Sequence, residues 1–108
     1  MTTRQVLYVE DDPVNAMLMQ GIFELRPGCS LQVARSGGEA LHLASLGRID
    51  LLLCDLHLPD VGGGELLAQL RARGLAEGVP ALLVTAESEV EAAELAERHG
   101  YDGYWTKP

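Results

Sequence analysis

Apolar runs of four or five residues alternate along this chain with longer stretches whose apolar positions return every three or four residues. That is the pattern of βαβ units feeding a parallel sheet buried on both faces. The runs predict five strands, at residues 6–9, 31–34, 51–55, 81–85 and 104–106. Between the first two, Val14, Met17, Leu18, Ile22 and Leu25 mark the side of a helix expected to pack on the sheet. Asp12 is its expected N-cap and Pro13 its first residue, since neither wastes a backbone N–H that the helix needs. Ser36 with Glu39, and Ser88 with Glu91, have capping-box spacing. They precede Ala40, Leu41 and Ala44 in a second helix and Val90, Ala93, Leu95 and Ala96 in a fourth. A third helix is expected from about residue 64 to 73, with Leu66, Leu67 and Leu70 on one face and Gly74 as its stop. The series is unbroken by linker, repeat or low-complexity tract, so residues 1–108 are expected to form a single α/β domain.

Composition narrows the function. With 47% hydrophobic and 22% charged residues the chain has ordinary globular usage, which excludes disorder and coiled coil. Eight Lys plus Arg against 16 Asp plus Glu give a formal charge of -8, a field that repels nucleic acid and anionic membranes. No apolar run approaches the ~20 residues that cross a bilayer, and the start lacks the apolar core of a signal peptide, so a cytoplasmic location is expected. Cys29 and Cys54 have no metal-ligand spacing and read as reduced, buried thiols, with Cys54 turned away from Asp55 by strand alternation.

The chemistry gathers at the strand ends. Ligands of open parallel sheets sit beyond the carboxyl ends of the strands. Here those ends are Glu10, Asp11 and Asp12, then Asp55, then Thr85, then Thr106, Lys107 and Pro108. Crowded carboxylates repel unless a cation compensates them. Oxygen donors without His or Cys favour a hard ion, and one or two carboxylates with retained water favour Mg2+. Lys107 and Thr85 could hold phosphoryl oxygens, and Asp55 could act as nucleophile to form an aspartyl phosphate.

The same residues lie in VLYVEDDPVN, LLLCDLHLPDVGGGELL, LLVTAE and GYDGYWTKP. In letters and spacing these segments resemble the receiver domain of bacterial two-component response regulators, including receivers fused to hybrid histidine kinases. The resemblance implies a doubly wound, flavodoxin-like parallel sheet of five strands in the order 2-1-3-4-5. It implies that Asp55 accepts a phosphoryl group from a histidine kinase or phosphotransfer protein. Asp11, Asp55 and the backbone carbonyl of His57 would ligate Mg2+, with Glu10 acting through metal-bound water. Thr85 would bond the phosphoryl group, Lys107 would pair with it, and Tyr104 would swing inward as the hydroxyl moves. The Lys107–Pro108 bond would be cis. The further partners implied are a downstream effector domain or protein and a second copy in a homodimer. The product is a changed surface, which makes the domain a switch and not a conventional enzyme.

Two departures from the family pattern stand out. Gly62 takes the place of the usual Asp, and with Gly63 and Gly64 in succession a looser loop is expected. The usual fifth helix, which would cover the sheet beside the first, is missing from this sequence. Leaving roughly 400 Å² of apolar surface wet would forgo ~10 kcal/mol, so continuing chain or a neighbouring subunit is expected there.

Simpler readings compete for several residues. Asp12 reads as a cap and not a ligand; His42 and His99 read as solvated or helix-end histidines; the His57 side chain is expected to line the mouth of the site. Trp105 is either exposed or packed against a missing helix. Rival functions are a Mg2+-dependent hydrolase with an aspartyl-phosphate intermediate, a nucleotide or flavin module, and a degenerate receiver used only as a surface. The hydrolase lacks its second acid, since His57 stands two residues past Asp55. The nucleotide module would place phosphate against the acids of EDDP. The complete set of Glu10, Asp11, Asp55, Thr85 and Lys107 argues against the degenerate form.

Overall fold

The computed structural model describes residues 3–107. Strands and helices alternate: β1 (Arg4–Val9), α1 (Pro13–Glu24), β2 (Cys29–Ala34), α2 (Gly37–Leu46), β3 (Leu51–Asp55), α3 (Gly63–Ala72), β4 (Ala81–Thr85), α4 (Glu89–Arg98) and β5 (Gly103–Thr106). All strand pairs are parallel, and the sheet order is β2-β1-β3-β4-β5, as expected. The first two strands begin two residues earlier than their apolar runs, because Arg4 and Cys29 still pair across the ladder.

Alternation along the central strands splits the core into two layers. Leu7, Val9, Leu52, Cys54 and Leu83 face α2, α3 and α4, meeting Ala40, Leu66, Leu67, Leu70 and Ala96. Val6, Tyr8, Leu53 and Val84 face α1, meeting Met19 with Ile22, Phe23 and Trp105 around them. Trp105 is not fully exposed. It is half-buried against Phe23 of α1, ring centroids 6.3 Å apart.

The expected helix starts are present. Asp12 accepts from the Val14 amide at 2.9 Å, Ser36 from Glu39 at 3.1 Å and Ser88 from Glu91 at 3.3 Å. The buried faces are less well anticipated. In α1 the buried residues are Ala16 and Met19, whereas Val14, Met17, Leu18 and Leu25 are exposed, Met17 by 68%. Apolar residues crowd α1 so densely that helical spacing can be traced on two stripes, and the one bearing small Ala16 and pliant Met19 seats on the sheet. In α4, Ala92 and Ala96 are buried while Val90 and Ala93 are exposed. Val90 sits about 200° around the helix from Ala92. Cys54 is buried as expected, but Cys29, on the edge strand, is only half-buried.

The glycine run corrects another expectation. Gly63 and Gly64 lie inside α3 and serve close packing, not looseness. A Cβ on Gly63 would stand 2.7 Å from the Asp55 carbonyl oxygen, and one on Gly64 would stand 2.6 Å from His99 Nδ1. Three hydrogen bonds hold this corner. Asp60 accepts from the Gly37 and Gly38 amides at 2.8 and 2.9 Å, and the buried Tyr101 hydroxyl donates to the Gly63 carbonyl at 2.8 Å. The loop from Asp55 to α3 is thus tied to α2 on one side and to the turn between α4 and β5 on the other. The expectation of a cis Lys107–Pro108 bond lies outside the described residues.

Beside α1, the sheet face ends in a groove lined by Leu18, Met19, Ile22, Val84, Trp105 and Lys107. No helix among the described residues is long and apolar enough to cross a membrane.

Candidate functional site

Because all five strands run the same way, their carboxyl ends share one edge. Glu10 and Asp11 follow β1, Asp55 and Thr85 end β3 and β4, and Lys107 follows β5. Register then decides who meets whom. Val9 pairs with Cys54, so the next positions, Glu10 and Asp55, emerge side by side. Thr85 is paired with Thr106, one residue before Lys107.

Glu10, Asp11 and Asp55 each offer a carboxylate oxygen, and these atoms all lie within 4.8 Å of one another. Glu10 is fully buried, Asp55 is 8% exposed and Asp11 is exposed. Lys107 enters between them, its ammonium 2.7 Å from Glu10 and 3.4 Å from Asp55. A fully buried carboxylate is costly unless paired and hydrogen-bonded. Glu10 has both kinds of partner, since the Tyr8 hydroxyl also donates to it at 3.0 Å.

The charges set the proton affinities. Burial, followed by the hydrogen bond and negative charge of Glu10, pushes the Asp55 carboxyl from 3.8 up to about 6, against the pull of Lys107 and the His57 amide. Glu10 moves the other way. Burial alone would raise it, but the bond and charge of Lys107, with donation from the Tyr8 hydroxyl, hold it below the usual carboxylate value. The two carboxylates raise Lys107 despite its own burial. An ionised Glu10 and an ammonium thus stand beside an Asp55 whose charge is only partly compensated.

Thr85 is 6% exposed and its hydroxyl accepts from the Glu87 amide at 3.2 Å, so it serves the turn into α4 while ending a strand beside the acids. The His57 amide points at Asp55 Oδ1 at 3.4 Å, while the residue itself is exposed. Its carbonyl belongs to the loop that Asp60 and Tyr101 fasten. Tyr104 is not part of the cluster. It is 37% exposed on β5, on the same sheet face as Thr85 and Leu83. Asp12, as expected, caps α1.

Three residues that shape this edge escaped the sequence reading: Tyr8, Asp60 and Tyr101. Tyr8 carried a usable signal. A phenol inside an apolar strand run, two residues before an acid, shares that acid's strand face. Asp60 and Tyr101 act across 23 and 38 residues of sequence, respectively, and left no local mark.

A five-stranded flavodoxin-like sheet with acids, a hydroxyl and an ammonium converging on its carboxyl edge is the arrangement expected of a response regulator receiver domain. The chain belongs to that family: the response regulator receiver domain matches residues 6–108. The transcriptional regulatory protein MalR of Bacillus subtilis is 36% identical over 95% of this chain and 43% of its own length. The chain therefore spans less than half of that relative. Among solved structures, the chemotaxis response regulator CheY4 of Vibrio cholerae superposes with a TM-score of 0.82 at 27% identity, over 99% of this chain and 88% of that one. A chain from the co-crystal of the Saccharomyces cerevisiae phosphotransfer protein Ypd1 with the receiver of its downstream regulator Ssk1 gives 0.82 at 26% identity, over 99% and 80%.

Proposed function

We propose that this chain is a phosphoacceptor switch in which Asp55 receives a phosphoryl group from a phosphohistidine, with Mg2+ held by Glu10, Asp11, Asp55 and the backbone carbonyl of His57. The observation that carries this reading is the meeting of three carboxylates within 4.8 Å, with a lysine ammonium already inserted between two of them. An all-oxygen donor set that draws in an ammonium suits a hard divalent cation. A bound Mg2+ ion would supply the positive charge that the carboxylates lack and would draw phosphoryl oxygens toward Asp55.

Each remaining role belongs to the chain itself. A carboxylate oxygen of Asp55 attacks phosphorus; the new O–P bond forms as the donor's N–P bond breaks, and the electron pair returns to the imidazole nitrogen. Lys107 moves from the carboxylates to the transferred group's oxygens. The Thr85 hydroxyl turns from the Glu87 amide to donate to the phosphoryl group. Tyr104, on the same face and now exposed, takes the vacated space. The resulting surface is what a downstream effector domain or protein, or a second copy of the chain, would read.

The test is transfer from a phosphorylated histidine phosphotransfer protein, followed by neutral hydroxylamine, which cleaves acyl phosphates and spares phosphoserine and phosphothreonine. Wild type should gain label that hydroxylamine removes, and Asp55→Asn should gain none. Hydroxylamine-stable label, or equal labelling of the Asn variant, would refute the assignment of Asp55.

A further inference from the structure

Tyr8 is a core residue with an ionic neighbour. Its ring is 1% exposed in the layer formed by Val6, Met19, Leu53 and Val84. Its hydroxyl donates to Oε1 of Glu10 at 3.0 Å, the same oxygen that takes the Lys107 ammonium at 2.7 Å. Among the described residues, the other oxygen, Oε2, accepts only a long hydrogen bond, from the Asp12 amide at 3.5 Å. A buried phenol without a partner would be costly, and a glutamate has one more rotatable bond to immobilise than an aspartate. Each side chain therefore supplies what the other lacks. Reach matters as well, because an aspartate at this position would withdraw its carboxylate by one methylene, about 1.5 Å.

We propose that Tyr8 is a positioning residue of the metal site: its hydroxyl fixes one oxygen of Glu10, leaving the second free to face the cation or its water. This rests on the reading of the acidic cluster as a Mg2+ site. Hydrogen-bonding partners of ligating groups typically change metal affinity 10- to 100-fold when removed. Tyr8 acts on a single oxygen that Lys107 also holds, so its loss belongs at the lower end of that range. Among the described residues, the Tyr8 hydroxyl has no other polar partner to which such an effect could be assigned.

The experiment is a double-mutant cycle on the intact chain, with Mg2+ affinity measured by calorimetry and folding stability by urea titration in metal-free buffer. Tyr8→Phe keeps the ring volume and should weaken Mg2+ binding about 10-fold. In a Glu10→Asp background, where the carboxylate no longer reaches the hydroxyl, Tyr8→Phe should change affinity by less than about twofold. A purely packing role would shift the urea midpoint in both backgrounds and leave affinity alone. Unchanged Mg2+ affinity of Tyr8→Phe, or equal weakening in both backgrounds, would overturn the assignment while the metal site stands. Failure of wild type to bind millimolar Mg2+ would remove the metal reading itself, and this inference with it.

Discussion

Replacing Lys107 by Met should destabilise the metal-free protein at pH 7 by about 3 kcal/mol, and millimolar Mg2+ should restore most of that loss. The ammonium is the cation that approaches both Glu10, which is fully buried, and Asp55. Removing one member of a buried pair leaves its partner's charge in the interior, which costs far more than the net worth of the pair. The pH dependence follows from Glu10, held below its ordinary 4.5 with the help of the Lys107 bond. A depressed carboxyl contributes stability that is present above its unfolded value and disappears as pH falls through the folded one. The gap between wild type and Lys107→Met should therefore be widest near neutrality and close in acid. Urea denaturation with and without Mg2+ at several pH values measures this. A variant as stable as wild type, or a loss that Mg2+ leaves untouched, would count against a cation site at this edge.

Asp55→Asn should have the opposite effect on stability while abolishing phosphate acceptance. Burial and Glu10 raise the Asp55 carboxyl from 3.8 to about 6. Between those values the folded state binds more protons than the unfolded, so this group's contribution to stability falls as pH rises from about 4 to about 6. Asn has the same shape and no charge, hence no such slope. In metal-free buffer at pH 7 the Asn variant should be the more stable by on the order of 2 kcal/mol, with the difference vanishing near pH 4. The two substitutions thus push in opposite directions from one cause, three carboxylates facing one ammonium. Thermal melts in a chelator at both pH values decide it, and an Asn variant less stable than wild type at pH 7 would contradict the electrostatic account.

Sequence alone disclosed the parts that local patterns encode. Strand runs, the Asp12, Ser36 and Ser88 caps and the polar strand ends are each written within a few neighbouring residues, and parallel topology turns those ends into one edge. What stayed hidden depends on choices between equivalent local patterns or on distant contacts. The apolar crowding of α1 allowed two stripes, and only packing against Tyr8 and Leu53 selected Met19 over Met17. Three consecutive glycines read as flexibility because sequence does not show that the Asp55 carbonyl presses against Gly63 and His99 against Gly64. Asp60 and Tyr101, which hold the loop after Asp55, reach across the fold to α2 and from the turn between α4 and β5.

The most direct test is the intact mass of wild type and Asp55→Asn after incubation with acetyl phosphate, with and without Mg2+. A single phosphoryl adduct on wild type in the presence of metal, and on neither protein otherwise, is the predicted outcome. An adduct on the Asn variant, or none on folded wild type with Mg2+, would mean that the acids at this edge do not form a phosphoacceptor site around Asp55.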